Sequence, residues 1–158
     1  MADLKDVLVY LLKAYPYPED LTHVRLTHLV YLADWRHAIT EGEQITGLSW
    51  RITQFGPYVP DILDLAMQDD LLGTRLTVHH YSSIRIYLQL RSIGFITNLS
   101  PRQCMNLDYV VANTRELAPE EFYRLVYSTY PLLIGKRYDA LDLPATAREY
   151  NRLKARLK

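Results

Sequence analysis

The chain has 158 residues, with 18 basic and 18 acidic side chains and a formal net charge of zero. That length suits one domain with a sizeable core, and the charge balance argues against a protein gripping nucleic acid by bulk charge. A single cysteine, Cys104, excludes a disulfide framework and a thiolate metal cluster.

No run of about 18 apolar residues occurs, so no membrane-spanning helix is expected. Asp3, Lys5 and Asp6 interrupt any cleavable signal pattern, and a soluble, cytoplasmic protein follows. Tyrosine is unusually frequent, with 13 copies against three Phe and two Trp. Its apolar body and polar tip suit half-wet contact surfaces.

Asp3 is placed to cap a first helix that runs to about Ala14, with Leu4, Val7, Leu8, Leu11 and Leu12 on one stripe. Pro16 and Pro18 stop it, since neither can continue a helix ladder. Asp20 is the expected cap of a long second helix. Its winding puts Leu21, Val24, Tyr31, Leu32, Trp35 and Ile39 on one face and Leu26, Leu29, Val30 and Ala33 on another. Narrow polar strips, one of them holding His23, Thr27 and Asp34, separate the two. A helix apolar on two sides belongs between layers, at the centre of the fold.

Glu41-Gly42 ends that helix. Leu48, Trp50 and Ile52 alternate with Ser49, Arg51 and Thr53, which predicts a strand. Gly56 suits a sharp turn and Pro57 the first position of a next helix, with Pro60 also in its first turn. Ile62, Leu63, Leu65, Ala66 and Met67 supply that helix's inner side. Leu76, Val78 and His80 alternate with Arg75, Thr77 and His79; Ile84, Ile86, Leu88 and Leu90 alternate with Arg85, Tyr87 and Gln89. Ser82-Ser83 between them predicts a β-hairpin. With the earlier strand this gives an antiparallel sheet of about three strands.

Ser100-Pro101-Arg102-Gln103 is a capping box opening a helix to about Arg115. Pro119 opens another, to about Thr129, followed by a loop over 132–141. A last helix from about Pro144 turns Ala147, Tyr150, Leu153 and Leu157 inward and Arg148, Arg152 and Arg156 outward. No repeat or linker interrupts residues 1–158, so the expectation is a single, mainly helical α+β domain.

No catalytic pattern emerges. His23 and His28 point about 140° apart on a helix, and His79 and His80 face opposite sides of a strand, so neither pair shares a metal. His28 reads as a hydrogen-bonded core histidine and Cys104 as a small buried hydrophobe near Leu107 and Val111. Asp61, Asp64, Asp69 and Asp70 crowd a single helix, where acids near the start complement the dipole. Phosphate loops, dinucleotide glycines and nucleophile elbows are absent, so neither an enzyme nor a cofactor is expected.

The outward sheet face carries more information. It would show Arg51, Arg75, Thr77, His79, Tyr81, Arg85, Tyr87, Gln89 and Arg91. Arg and Tyr are frequent binding hot spots, which makes Arg51, Arg75, His79, Tyr81, Arg85 and Tyr87 candidate partner contacts. The same mixture could grip phosphates and stack on bases, with the hairpin as a wing, or be a plain solvated face.

Two stretches, LTHLVYLADWRHAITEGEQITG from Leu26 and QFGPYVPDI from Gln54, resemble the Panacea domain, the SocA-like antitoxin domain of bacterial and prophage toxin–antitoxin pairs. That family has a helix of the form L-x-K-L-L-Y-x-A, a Gly-x-x-Ile turn, and a strand ending in Gly-Pro. Leu26, Leu29, Tyr31, Ala33, Ile45, Phe55, Gly56, Pro57 and Ile62 match it, while His28 stands where many members have lysine. The tail TYPLLIGKRYDALDLPATAREY also resembles the family's closing segment, extending the likeness over most of Leu4 to Tyr150.

The resemblance implies a non-enzymatic antitoxin that binds a cognate protein toxin, small alarmone-synthetase-like toxins among them. One relative is an adaptor to an ATP-dependent protease. The motif residues Leu29, Tyr31, Phe55, Gly56, Pro57 and Ile62 are expected to be structural.

Overall fold

A computed structural model describes residues 1–18, 21–78, 84–92 and 94–158. Helix α1 (Leu4–Ala14) starts where expected, with the Asp3 carboxylate accepting from the Lys5 N–H at 3.1 Å. Its stripe of Val7, Leu8, Leu11 and Leu12 is buried. Helix α2 (His23–Glu41) is capped by Thr22, not Asp20, which lies outside the described residues. The Thr22 hydroxyl, three positions before Arg25, accepts that residue's N–H at 3.1 Å. Gly42 closes the helix at φ 83°, a left-handed conformation that costs glycine little.

Both apolar faces of α2 are covered, and Leu26, Leu29, Val30, Tyr31 and Ala33 are fully buried. Helices α3 (Asp61–Gln68), α4 (Pro101–Thr114) and α7 (Leu143–Arg156) pack on it, together with α1 and strands from two sheets. A fully buried leucine contributes roughly 2 kcal/mol, so this helix anchors much of the core. Thr27 and Asp34, from the supposed polar strip, are buried as well.

The fold class is mainly helical α+β, as expected, but the strands sort differently. Strand β1 (Arg51–Thr53) pairs with β2 (Gly56–Tyr58), and β3 (Leu72–Val78) pairs with β4 (Ile84–Leu90), giving two separate antiparallel pairs rather than one sheet of about three strands. Gly56-Pro57 therefore begins a strand and not a helix. Gly56 does take the turn conformation, at φ 82°, but the helix waits until Asp61, with Pro60 as its cap. Pro57 fits β2 because its N–H would have no ladder partner on an edge strand.

Three side-chain expectations change. Met67, Leu153 and Leu157 are 71%, 38% and 89% exposed instead of buried. The chain over 132–141 is also partly helical, since α5 (Pro119–Tyr127) is followed by α6 (Tyr130–Ile134), with Pro131 in its first turn. The capping box on α4 forms as expected, Ser100 Oγ accepting from Gln103 N–H at 3.1 Å and Gln103 Oε1 from Ser100 N–H at 2.9 Å. Cys104 on that helix is only half-buried.

Candidate partner-binding surface

Residues directly opposite in an antiparallel pair share a face. The β3–β4 register sets Gly73 against Gln89, Arg75 against Tyr87, and Thr77 against Arg85. These make the polar face. Leu72 opposes Leu90, Thr74 opposes Leu88, and Leu76 opposes Ile86 on the apolar face.

The predicted alternation is therefore correct, yet its burial fades along the hairpin. Leu72 and Leu88 near the base are 1% exposed, whereas Leu76 and Ile84 toward the tip are 64% and 65% exposed. The expectation that the whole apolar face turns into the core holds only for the base.

On the polar face the Arg75 guanidinium carbon lies 4.5 Å from the Tyr87 ring centroid, a cation–π contact that keeps the fork flat over the ring. Arg85 is exposed one pair further out. Arg91 reaches back over Gly73, where a Cβ would fall 2.7 Å from its Nε. Arg75, Arg85 and Tyr87 are thus brought together. Arg51 is not: it sits on β1, and its Nη1 donates to the Tyr138 carbonyl at 2.6 Å. There it ties down a loop in which Tyr138 holds a positive φ of 72°. His79 and Tyr81 lie outside the described residues.

A groove of about 470 Å³ flanks the hairpin, lined by Ile84, Arg85, Ile86 and Tyr87 on one side and by His23, Phe55, Phe122 and Tyr123 on others. Phe55 is 48% exposed, so its ring belongs to this surface and not to the core. Its position in a turn right before a glycine is the one cue the sequence offers. Tyr123, also half-exposed, stacks on Tyr127 and had no cue beyond its residue type.

Three other motif residues lie in the core. Leu29, Tyr31 and Ile62 are fully buried, and the Tyr31 hydroxyl lies 2.8 Å from Thr129 Oγ1. His28, 4% exposed, donates from Nε2 to the Phe55 carbonyl at 2.7 Å, and burial lowers its pKa to about 4. It is a neutral ring that pins the β1–β2 turn.

A second buried polar centre surrounds Asp34. Its carboxylate accepts from Thr46 N–H at 2.9 Å, Thr46 Oγ1 at 2.5 Å and Trp50 Nε1 at 2.8 Å. Burial raises its pKa to about 6, an effect only partly offset by those donors. The arrangement locks α2 to the segment leading into β1. Among the described residues, no group of three or more His, Cys, Asp or Glu side chains is arranged to hold a metal ion.

The described residues form a mainly helical α+β scaffold whose hairpin carries Arg and Tyr side chains. The SocA-like antitoxin family model, the Panacea domain, matches residues 26–131, and the chain belongs to that family. The match stops short of the closing segment from Leu132. Neither a curated protein nor a solved structure matches the chain. No described helix is long and apolar enough to cross a membrane.

Proposed function

We propose that this protein is an antitoxin that neutralises a protein toxin by direct binding through the outer half of the β3–β4 hairpin. Arg75, Arg85 and Tyr87 would meet the toxin on one face, and Leu76 and Ile84 on the other. The observation that carries this reading is the exposure of Leu76 and Ile84, 64% and 65%, beside an Arg–Tyr stack. Neighbouring large apolar side chains left open on a hairpin mark a surface that another protein covers.

Arginine and tyrosine anchors supply directional contacts there, and hot spots of this kind are worth about 2 kcal/mol or more each. Family membership supports the class of partner. His28 lies in the groove wall and pins a turn. In this reading neutralisation is by masking, without delivery of the toxin to a protease.

Co-expression tests this. Cells producing the toxin encoded beside this gene should be rescued by the parent protein, with toxin levels unchanged. Rescue should fail with a paired Ile84→Asp and Arg85→Glu variant whose circular dichroism matches the parent. Unimpaired rescue by that variant refutes the surface; falling toxin levels refute simple masking; a neighbour that is not toxic alone refutes the antitoxin reading.

A further inference from the structure

A cavity of about 800 Å³ lies away from the hairpin, between the C-terminal half of α2 and helices α4 to α7. It shares no lining residue with the groove beside the hairpin. Its walls carry Trp35, Tyr109, Tyr130 and Tyr150, and its mouth carries Leu133, 68% exposed, and Tyr109, 46% exposed. Tyrosine, tryptophan and arginine dominate binding hot spots, and here all three converge on one concave surface between helices.

Cations outnumber acids on its lining, and the Glu149 carboxylate accepts from the Tyr130 hydroxyl on its wall. Arg36 and Arg124 line the cavity against a single acid among the described residues, Glu121. The Arg36 guanidinium carbon lies over the Tyr109 ring, 3.8 Å from its centroid, and its buried Nε has no hydrogen-bond partner among the described residues. A buried donor without an acceptor costs free energy unless an occupant supplies one.

Beyond Tyr150 the inner stripe of α7 runs past the body, where Leu153 and Leu157 are 38% and 89% exposed. Residues 151–158 carry Arg152, Lys154, Arg156 and Lys158 and no acid. An aromatic groove thus continues into an apolar stripe flanked by cations.

We infer that this groove and the overhang of α7 dock an acidic amphipathic helix of a partner protein. Apolar side chains of that helix fill the space between Trp35, Tyr109 and Leu133. Its carboxylates meet Arg36, Arg124 and the basic end of α7. This surface stands apart from the toxin-binding reading of the hairpin, and either can fail without the other.

The probe is a fluorescein-labelled, Ala-based helical peptide with Leu at i, i+3, i+4 and i+7 and Glu on its flanks, titrated into the full chain by anisotropy. A twin peptide with Lys for every Glu is the control. The Glu peptide should bind at least tenfold tighter than the Lys peptide. Leu133→Ser and Arg124→Glu, both at exposed positions, should each weaken it at least fivefold, while Arg85→Glu leaves it unchanged.

Equal binding of the two peptides, no binding of the Glu peptide, or insensitivity to Leu133→Ser and Arg124→Glu overturns the inference. So does concentration-dependent dimerisation of the peptide-free chain that Leu133→Ser abolishes, because the groove would then belong to a second copy.

Discussion

The joint around Asp34 and the outer half of the β3–β4 hairpin turn their side chains to opposite ends, one inward and one outward. At the joint, a carboxylate, a threonine and a tryptophan are buried and mutually hydrogen-bonded within 2.9 Å. On the outer half of the hairpin Arg75, Arg85, Leu76 and Ile84 are exposed and Tyr87 is half-buried, with the Arg75 guanidinium carbon 4.5 Å from the Tyr87 ring centroid. Polar groups surrounded by their own chain secure the fold, and those left facing outward are available to a partner. Substitutions should therefore separate into ones that cost stability and ones that cost binding.

The largest stability effect is expected at the joint. Asp34→Ala orphans the Trp50 and Thr46 donors and should lower unfolding free energy by about 4 kcal/mol, read by urea denaturation. Retention of parental stability would show that the joint is not what holds α2 to β1.

Acid sharpens the comparison next. His28 has a folded pKa of about 4 against an unfolded value near 6.5, so the folded state binds fewer protons between them. Its contribution is complete above pH 6.5 and lost as pH falls toward 4, by about 3 kcal/mol. Asp34 works the other way: its folded pKa of about 6 lies above its unfolded value, so its contribution is lost as pH rises through 6. His28→Gln should therefore flatten the acid-side loss of stability, and Asp34→Asn should steepen it. Urea midpoints at pH 7, 5.5 and 4 give both slopes.

A smaller loss is expected for Gly56→Ala. At φ 82° an alanine is strained, and its Cβ would fall 2.9 Å from the Tyr127 hydroxyl, so about 2 kcal/mol should go. Leu76→Ser at the tip should change stability by no more than about 0.5 kcal/mol, because the side chain is already in solvent. A thermal melt distinguishes the two, and a large loss at Leu76 would mean that the tip is part of the core.

How the sequence foretold these regions follows the same division. Helix α2 was legible because its apolar positions repeat at helical spacing over 19 residues, although Thr27, Asp34 and His37 are buried beside them. The hairpin was legible as alternation, and alternation specifies a face but not how far the body extends beneath it. That is why Leu76 and Ile84 were misplaced while Leu88 fits.

Strand partners depend on distant chain. Residues 51–53 pair with the strand that follows directly and also bond the loop near Tyr138 and Asp139, so Arg51 left the hairpin face. Gly56-Pro57 was read as a turn opening a helix, and the ladder to Ile52 makes it a turn opening a strand instead. Of the candidate contacts, Arg75, Arg85 and Tyr87 share a face because they lie within one hairpin, where the register is local.

The claim that the hairpin tip is the toxin-binding surface meets its most direct test in calorimetric titration of the purified toxin into four proteins: the parent, Arg85→Glu, Tyr87→Ala and His28→Gln. The account predicts that the two hairpin variants each weaken binding by about tenfold or more, roughly 1.4 kcal/mol, with unfolding curves close to the parent. His28→Gln should bind within about twofold of the parent wherever it is folded, since its ring serves the turn and not the surface. Parental affinity in both hairpin variants, or a greater loss at His28 than at Arg85, would contradict it.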